Sequence, residues 1–428
     1  MIEPILGKII APGTKIDGSY KPLPFGNIRE KTKMNLLLTL TSYPPSIGGA
    51  QLHMHQLACQ LKDRHAIQVV TQWDSNRTDW LLGTTVRAPG ESRSYQVDGV
   101  LVERIGLDRN SRLRMLPWAL AYPLFQGKAV EMIARELSRK IAPWAEKADL
   151  VHNCRIGREG ISVASFQLAR QKNIPFVITP VHHPRWSGWL HRYYHQLYRQ
   201  ADAVIALTAA EKKILVSLGV KEETIFVTGN GPNLAENGEG RRFRTKYHLE
   251  EFPVILFLGQ KFPYKGFSSV LEAADFVWKK IPEALFLFVG PRTPYSRQVF
   301  NRVTDRRVVE LDTIDLQEKT DALAACTLLC VPSSQESFGG VYTEAWSFAK
   351  PVIGCNIPAV AEVINDGEDG FLVSQDPQEI ADRIIQLILN PTLCQQMGQA
   401  GSRKVKERYT WEIIAQRTEE VYLKTLEG

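Results

Sequence analysis

Short apolar runs separated by amphipathic stretches set the pattern of this chain. Apolar runs fall at 35–41, 66–71, 100–105, 149–153, 175–179 and 203–207. Between them, apolar positions recur at helical spacing, as Ala50, Met54, Leu57, Ala58 and Leu61 do within residues 50–61. A strand that is apolar throughout needs cover on both faces, and intervening helices supply it, so the pattern predicts parallel α/β sheets. The alternation halts at a polar, glycine-rich stretch, GNGPNLAENGEG at 229–240, which reads as a linker. It restarts with VILFLG at 254–259, LFLFVG at 285–290, VVEL at 308–311, LLCVP at 328–332 and PVIGC at 351–355. The expectation is an α/β chain of two doubly wound, Rossmann-like domains facing across a cleft, spanning 34–232 and 233–410. Residues 411–428 predict a terminal helix with Trp411, Ile414, Val421 and Tyr422 for packing. Residues 1–33, rich in Pro, Gly and charge, read as a poorly ordered leader. Met34 then opens MNLLLTLTSYPPSIGG, which resembles a natural protein start.

Composition narrows the function. A length of 428 residues suits two domains, and 44% hydrophobic with 23% charged residues excludes a mainly disordered chain. The formal charge of +6 fits anionic partners such as nucleotide sugars or acidic lipid surfaces. With no Lys/Arg block and no zinc-finger spacing, nucleic acid is not an expected partner. No run of about 18 apolar residues predicts a membrane-spanning helix. The opening residues lack the layout of a signal peptide. The expected location is therefore cytoplasmic, with peripheral contact at the inner membrane surface left open. The six cysteines are scattered and read as reduced core thiols. Cys326 and Cys330 flank an apolar TLL, which suits a buried strand better than a zinc pair.

In open α/β sheets ligands bind beyond the carboxyl ends of the strands, so the loops after strands carry the candidates. The strongest is PSSQESFGGVYTEAWSFAKPVIG at 332–354. A strand ends at Pro332, Glu336 follows in a loop, and Phe338-Gly339-Gly340 opens a helix that holds Glu344. Two glycines at a helix start allow close approach to a ligand and expose N–H groups that attract anions. Glu344 lies one turn up the same face, where a carboxylate can accept both hydroxyls of a ribose. In LGQKFPYKGFSSVLEAA at 258–274, Lys265 stands between a strand and a helix, placed to meet a phosphate. In SYPPSIGGAQLHMHQLACQL at 42–61, Gly48-Gly49 repeats the close-approach logic. Taken singly, these have bland readings: solvated glutamates beside a turn, an exposed loop lysine, an ordinary Gly-Gly.

Together the elements resemble family-4 retaining glycosyltransferases with the GT-B fold. The resemblance covers roughly residues 34–428, and the Glu-x7-Glu spacing from Glu336 to Glu344 is its most specific part. It implies that the second domain binds a UDP- or GDP-linked hexose, the first binds the acceptor, and the final helix crosses back onto the first domain. It further implies that Lys265 holds the donor diphosphate and Glu344 the ribose. Glu336 and the amides of Phe338, Gly339 and Gly340 would hold the sugar, and Gly49 would border the diphosphate from across the cleft. The chain departs from the family in three places. Gln260 stands where the family often has Arg, with Lys261 as a substitute contact. Around DLVHNCRIGREG at 149–160, His152 is a catalytic candidate, with Cys154 near the same slot. IPAVAE at 357–362 replaces a glycine pair often found before Glu362. Lys265, Glu336 and His152 are the expected catalytic residues; Arg155, His182 and His183 are acceptor-side candidates.

The chemistry such a site performs is cleavage of an anomeric C–O bond, with charge developing on the leaving phosphate. The resemblance implies retention of configuration through attack on the face of departure. No DxD follows a strand, since Asp312 and Asp315 are separated by two residues, so no metal or other cofactor is expected. The acceptor is a hydroxyl of a glycan, a lipid-linked compound or a small molecule. Residues 108–140 and 185–200 mix cations with apolar and aromatic residues, which fits either ordinary surface helices or contact with a lipid surface. Alternatives are a sugar-nucleotide-binding protein without catalysis, or an epimerase or phosphorylase on the same fold. A Glu336–Glu344 hydrolase pair suits an anion-attracting helix start less well.

Overall fold

The apolar runs become strands because parallel strands covered on both faces admit polar side chains mainly where a partner meets them, as it does for His152 and Asn153 at 150–154. The structure, a computed structural model, describes residues 33–427 apart from Ile47, 75–80, Thr85, Ile156, 184–185 and Glu250. The expected leader therefore lies outside the described residues except for Lys33.

The first sheet contains β1 (Asn35–Ser42), β2 (Ala66–Trp73), β3 (Arg93–Val97), β4 (Val100–Arg104), β5 (Leu150–Cys154), β6 (Phe176–Thr179), β7 (Ala203–Ala206) and β8 (Ile225–Val227). Their spatial order is β3-β4-β2-β1-β5-β6-β7-β8. Neighbours run parallel except β3 and β4, a hairpin turned at Asp98-Gly99 with φ of 48° and 78°. The second sheet contains β9 (Val254–Leu258), β10 (Leu285–Val289), β11 (Val308–Leu311), β12 (Leu328–Val331), β13 (Val352–Cys355) and β14 (Gly370–Val373). It is wholly parallel, in the order β11-β10-β9-β12-β13-β14.

Three strands, β3, β8 and β14, are absent from the pattern of apolar runs, and all three sit at sheet edges. An edge strand has one neighbour and less cover. Accordingly β3 reads RSYQV with mostly exposed or half-buried side chains.

Strand order reverses between β1 and β5 in the first sheet and between β9 and β12 in the second. Such reversals open a crevice at the carboxyl ends of the strands. The loops flanking these crevices are the ones carrying Gly48-Gly49, Arg155, Lys265 and Glu336.

The two halves meet through loops at these carboxyl ends. The Thr208 hydroxyl donates to the Ser337 carbonyl at 3.2 Å. The Glu362 carboxylate accepts from the amides of Ala209 and Ala210 at 2.6 and 2.7 Å, capping the first-half helix Ala209–Ser217 from the second half. A carboxylate at that position also complements the helix dipole.

The 229–240 stretch is an ordered crossing rather than a loose tether. The Asn233 amide donates to Glu344 at 3.3 Å, and the Glu239 amide donates to Asp321 at 2.8 Å. The terminal helix Trp411–Glu427 returns to the first half as expected. Trp411, Ile414, Val421 and Tyr422 are all buried on it. Its Glu419 accepts from Arg64 at 2.5 Å and lies 3.0 Å from the His65 ring, while the Trp411 indole donates to the Pro232 carbonyl at 2.7 Å.

Candidate active site

Loop β9–helix and loop β12–helix meet at the reversal of the second sheet. The first runs from Gly259 through a short turn, Pro263–Lys265, into the helix Phe267–Trp278. Gly266 takes φ of 79°, and a Cβ there would lie 2.6 Å from the Pro332 carbonyl, so this close crossing of the two loops excludes any larger residue. Gln375 ties the loops from below, donating to the carbonyls of Tyr264 and Pro332 at 3.0 and 2.7 Å. The result holds Lys265 against Glu336: ammonium and carboxylate form a hydrogen-bonded ion pair with both side chains mostly buried.

Beyond Glu336, Gly339 turns the chain with φ of 85° into the helix Gly340–Ser347. A Cβ on Gly339 would collide with the Tyr342 ring at 2.3 Å. Tyr342 is itself pinned, its hydroxyl donating to the Val331 carbonyl at 2.8 Å. Phe338 is buried edge-on against Tyr409 at 5.3 Å, so it anchors the loop by its ring and leaves its amide for a ligand. Of the first-turn amides, that of Tyr342 donates to the Gly339 carbonyl at 3.0 Å, while those of Gly340 and Val341 precede the first intrahelical bond and face outward. Glu344 stands one turn up. It accepts from Lys319 Nζ at 2.8 Å and from the Asn233 amide at 3.3 Å, both through Oε1, which leaves Oε2 for a ligand hydroxyl. Expected donor residues Lys265, Glu336, Phe338, Gly339, Gly340 and Glu344 are thus brought to one crevice.

Gln260 and Lys261 separate sharply. Gln260 is exposed at the mouth of the loop. Lys261 is completely buried, and its ammonium donates to the carbonyls of Gly290 and Leu311 at 2.5 and 2.6 Å and contacts Glu310 at 2.6 Å. Burial lowers its pKa despite that pair. Lys261 therefore braces the sheet ends and does not substitute for the missing arginine contact. Asp312 and Asp315 each meet backbone through Oδ1: Asp312 accepts from the amides of Arg292 and Thr313, and Asp315 caps the helix Leu316–Ala325 by accepting from Glu318 at 2.7 Å.

From the first half, Gly49 begins the helix Gly49–Leu61, and the position of its Cβ meets nothing within 4 Å, leaving open space toward the crevice. One turn of that helix brings His53 to Asn230, 3.0 Å from its side-chain oxygen. A Cβ on Gly340 would lie 3.1 Å from the Asn230 amide nitrogen, so the first-half helix, the crossing segment and the glycine turn converge.

His152 does not join them, which corrects its expected catalytic role. It lies on β5, fully buried, with Nδ1 2.6 Å from the Tyr422 hydroxyl and Nε2 2.8 Å from Thr179 Oγ1. Burial pushes its pKa down to about 3, so the ring is a neutral clasp between the sheet and the returning helix. Cys154 is equally buried and close to the Ala50 carbonyl.

Arg155 is buried in an aromatic cage, its guanidinium 4.4 Å from the Tyr194 ring centre and 4.7 Å from that of Trp186. It donates to the Tyr198 hydroxyl and lies 2.6 Å from His191 Nδ1. His182 packs beside this cage, its backbone amide donating to Glu211 at 2.6 Å, and burial and Arg155 hold its pKa down to about 3. His183 is half-buried with its ring 5.2 Å from Trp186. These acceptor-side candidates cluster at the carboxyl ends of β5 and β6. Arg155 is enclosed as packing rather than presented as a free cation.

Sequence reasoning missed Lys319, which neutralises Glu344, because a lysine in a solvated helix carries no signal. It also missed His53 and Glu362 as bridging groups, since their partners lie about 150 residues or more away in the chain.

Known proteins resemble the chain in both halves. Residues 48–231 match the Glycosyl transferase 4-like domain, and residues 241–404 match Glycosyl transferases group 1. The fold is that of HepE from Anabaena, solved with UDP-glucose, at a TM-score of 0.71 over 91% of this chain and all of that one, with 19% identity. The chain has the GT-B fold, and each of its halves matches a glycosyltransferase domain. Sucrose-phosphate synthase from Thermosynechococcus elongatus shares the GT-B fold with it at a TM-score of 0.70, covering 92% of this chain and all of that one at 18% identity. An uncharacterised glycosyltransferase of Methanocaldococcus jannaschii is 25% identical over 221 residues, 51% of this chain and 60% of the relative. Phosphatidyl-myo-inositol mannosyltransferase of Mycobacterium tuberculosis is 29% identical over 191 residues, 42% of this chain and 50% of the relative. The chain thus matches only half to three-fifths of the length of these two relatives. No helix among the described residues is long and apolar enough to cross a membrane.

Proposed function

We propose that this GT-B chain is a retaining glycosyltransferase of family 4 that moves a hexose from a UDP- or GDP-sugar to an acceptor hydroxyl. The observation that carries the reading is the Lys265–Glu336 pair held at the reversal of the second sheet, beside the Gly339-Gly340 helix start and within reach of Glu344. A diphosphate entering there exchanges places with the Glu336 carboxylate as the partner of Lys265. The freed carboxylate then accepts from sugar hydroxyls while the helix-terminal amides face the leaving group. Fixed donors of this kind stabilise charge that develops during departure. Glu344 accepts the ribose hydroxyls through Oε2. HepE, whose fold the chain shares, was solved with UDP-glucose, which favours UDP as the first base to test.

The reading is checked by thermal shift with a panel of UDP- and GDP-sugars. One donor at 100 times its dissociation constant should add about 2.7 kcal/mol of stability. Glu344→Ala should abolish most of that shift. If no donor shifts the protein, or the Glu344→Ala protein responds as the parent does, the reading is wrong. The transfer is also proposed to be metal-independent, since Asp312 and Asp315 are separated by two residues and each accepts a backbone amide through Oδ1. Manganese added to EDTA-treated protein should then leave the rate unchanged.

The acceptor side carries a surface that suits lipid. Leu124 and Phe125 are 81% and 61% exposed at the end of the helix Arg109–Ala121, and Trp189 is 51% exposed. The Tyr122 hydroxyl donates to the Leu190 carbonyl, so the two segments singled out in the sequence lie side by side. Exposed Lys128 and Arg192 follow Phe125 and Trp189 closely in the chain, giving the apolar patch basic neighbours. We therefore propose peripheral contact with an anionic lipid surface. The protein should float with anionic vesicles, and a Leu124→Asp/Phe125→Asp double variant should not. Flotation of both, or of neither, would remove lipid from the account.

A further inference from the structure

The helix Gly49–Leu61 carries a second cluster that the donor site does not use. His55 and Cys59 are four residues apart, which puts them one turn apart on one face. That face meets the β3–β4 hairpin, whose turn residue Asp98 is held in place by positive φ and by Lys62 Nζ donating to its carbonyl at 2.5 Å. His55 Nε2 lies 2.8 Å from Asp98 Oδ2 and 3.7 Å from Cys59 Sγ, and the three ligand atoms all fall within 4.8 Å of one another. On its far side, His55 Nδ1 is 2.9 Å from the hydroxyl of buried Tyr43.

We propose that His55, Cys59 and Asp98 form a binding site for a zinc-class divalent cation, stapling the β3–β4 hairpin to the helix that borders the cleft.

The donor set decides the class of metal. One imidazole nitrogen, one thiolate and one carboxylate match the ligands of Zn²⁺ and of Co²⁺ as its surrogate, whereas Mg²⁺ and Ca²⁺ take oxygen alone. Ligand atoms around a tetrahedral zinc ion sit roughly 3.3–3.6 Å apart, given bonds of about 2.0–2.3 Å. The present separations bracket that spacing, so side-chain rotations suffice. Asp98 is the adjustable member, its side chain 74% exposed, while the His55 side chain is 5% exposed. With no ion bound, Nε2–H donates to the Asp98 carboxylate, which can only accept, and Nδ1 accepts from the Tyr43 hydroxyl; when an ion takes Nε2, the ring proton moves to Nδ1 and is donated to the Tyr43 oxygen. This is the outer-shell arrangement that metal-bound histidines require. On binding, Cys59 releases its thiol proton to solvent, and the Asp98 oxygen exchanges its contact with His55 for one with the ion. Three protein ligands leave a fourth position for water, near the exposed edge of the sheet. The cluster and the Lys265–Glu336 pair share no residue, so the staple is independent of donor binding.

Cobalt tests this directly on the full chain. The protein should bind one equivalent of Co²⁺ and show a thiolate-to-cobalt charge-transfer band in the near ultraviolet. Cys59→Ser should lose the band. Asp98→Asn, at an exposed turn that leaves the fold intact, should keep the band but bind at least tenfold more weakly. Zn²⁺ should displace the cobalt and raise the melting temperature of the parent but not of Cys59→Ser. Absence of stoichiometric binding, a band that survives in Cys59→Ser, or an Asp98→Asn protein that binds as tightly as the parent would each overturn the site. In that event, the His55–Asp98 contact is a hydrogen bond closing the hairpin and nothing more. Donor thermal shifts measured on the same variants should match the parent, which keeps failure of the metal site distinct from failure of the donor site.

Discussion

Replacing Lys265 with alanine is expected to cut sugar transfer about 10²–10³-fold, the usual loss when one fixed donor to developing charge is removed. The effect has two sources. The cation that meets the diphosphate is gone, and Glu336, now without its partner, leaves a carboxylate facing an anionic donor. Melting should fall by less than the loss of a fully buried pair would cause, because the Lys265 and Glu336 side chains keep 19% and 11% exposure at the crevice. Lys265→Arg restores the charge but not the compact head group, so it should recover only part of the rate. Rates at saturating donor, measured beside donor dissociation constants, separate transition-state loss from weaker binding. A Lys265→Ala protein within threefold of the parent would mean that the diphosphate lies elsewhere.

Replacing Lys261 with alanine should act on the fold instead. Removing one member of a buried ion pair commonly costs about 3–5 kcal/mol. Here it also strands the Gly290 carbonyl and leaves the Leu311 carbonyl with only the Gly290 amide at 3.3 Å, at the ends of β10 and β11. Arg292 remains on Glu310, with Nε 2.8 Å from one carboxylate oxygen, and keeps the loss toward the lower end of that range. Gln260→Ala, one residue earlier and exposed, should fall within about 0.5 kcal/mol of the parent. Urea midpoints of the two variants check the contrast. Equal midpoints would show that Lys261 is dispensable to the sheet.

That contrast also marks what the sequence could reveal. Gln260 and Lys261 are adjacent polar residues after a strand, and nothing in their order says that one faces the crevice and the other lies beneath it. The central strands were legible because burial on both faces leaves continuous apolar text. The edge strands β3, β8 and β14 were not, because one missing neighbour relaxes that demand. Lys265, Glu336 and Glu344 were readable from their places relative to strand ends and glycines. His152 misled because every residue of β5 is buried, and the sequence does not say which face the returning helix covers. Its true partner, Tyr422, is 270 residues away.

The halves are joined by two passages of chain, one near Thr228–Pro232 and one at Tyr409–Trp411. Trp411 donates to Pro232 at 2.7 Å and Arg417 donates to the Thr228 carbonyl at 3.0 Å, while a Cβ on Gly231 would strike the Trp411 ring at 2.7 Å. Two passages laced side by side resist twisting and sliding far more than they resist bending across their common line. Any hinge-like opening about that line would have to release the Glu362 cap on the helix Ala209–Ser217 together with the Thr208–Ser337 hydrogen bond.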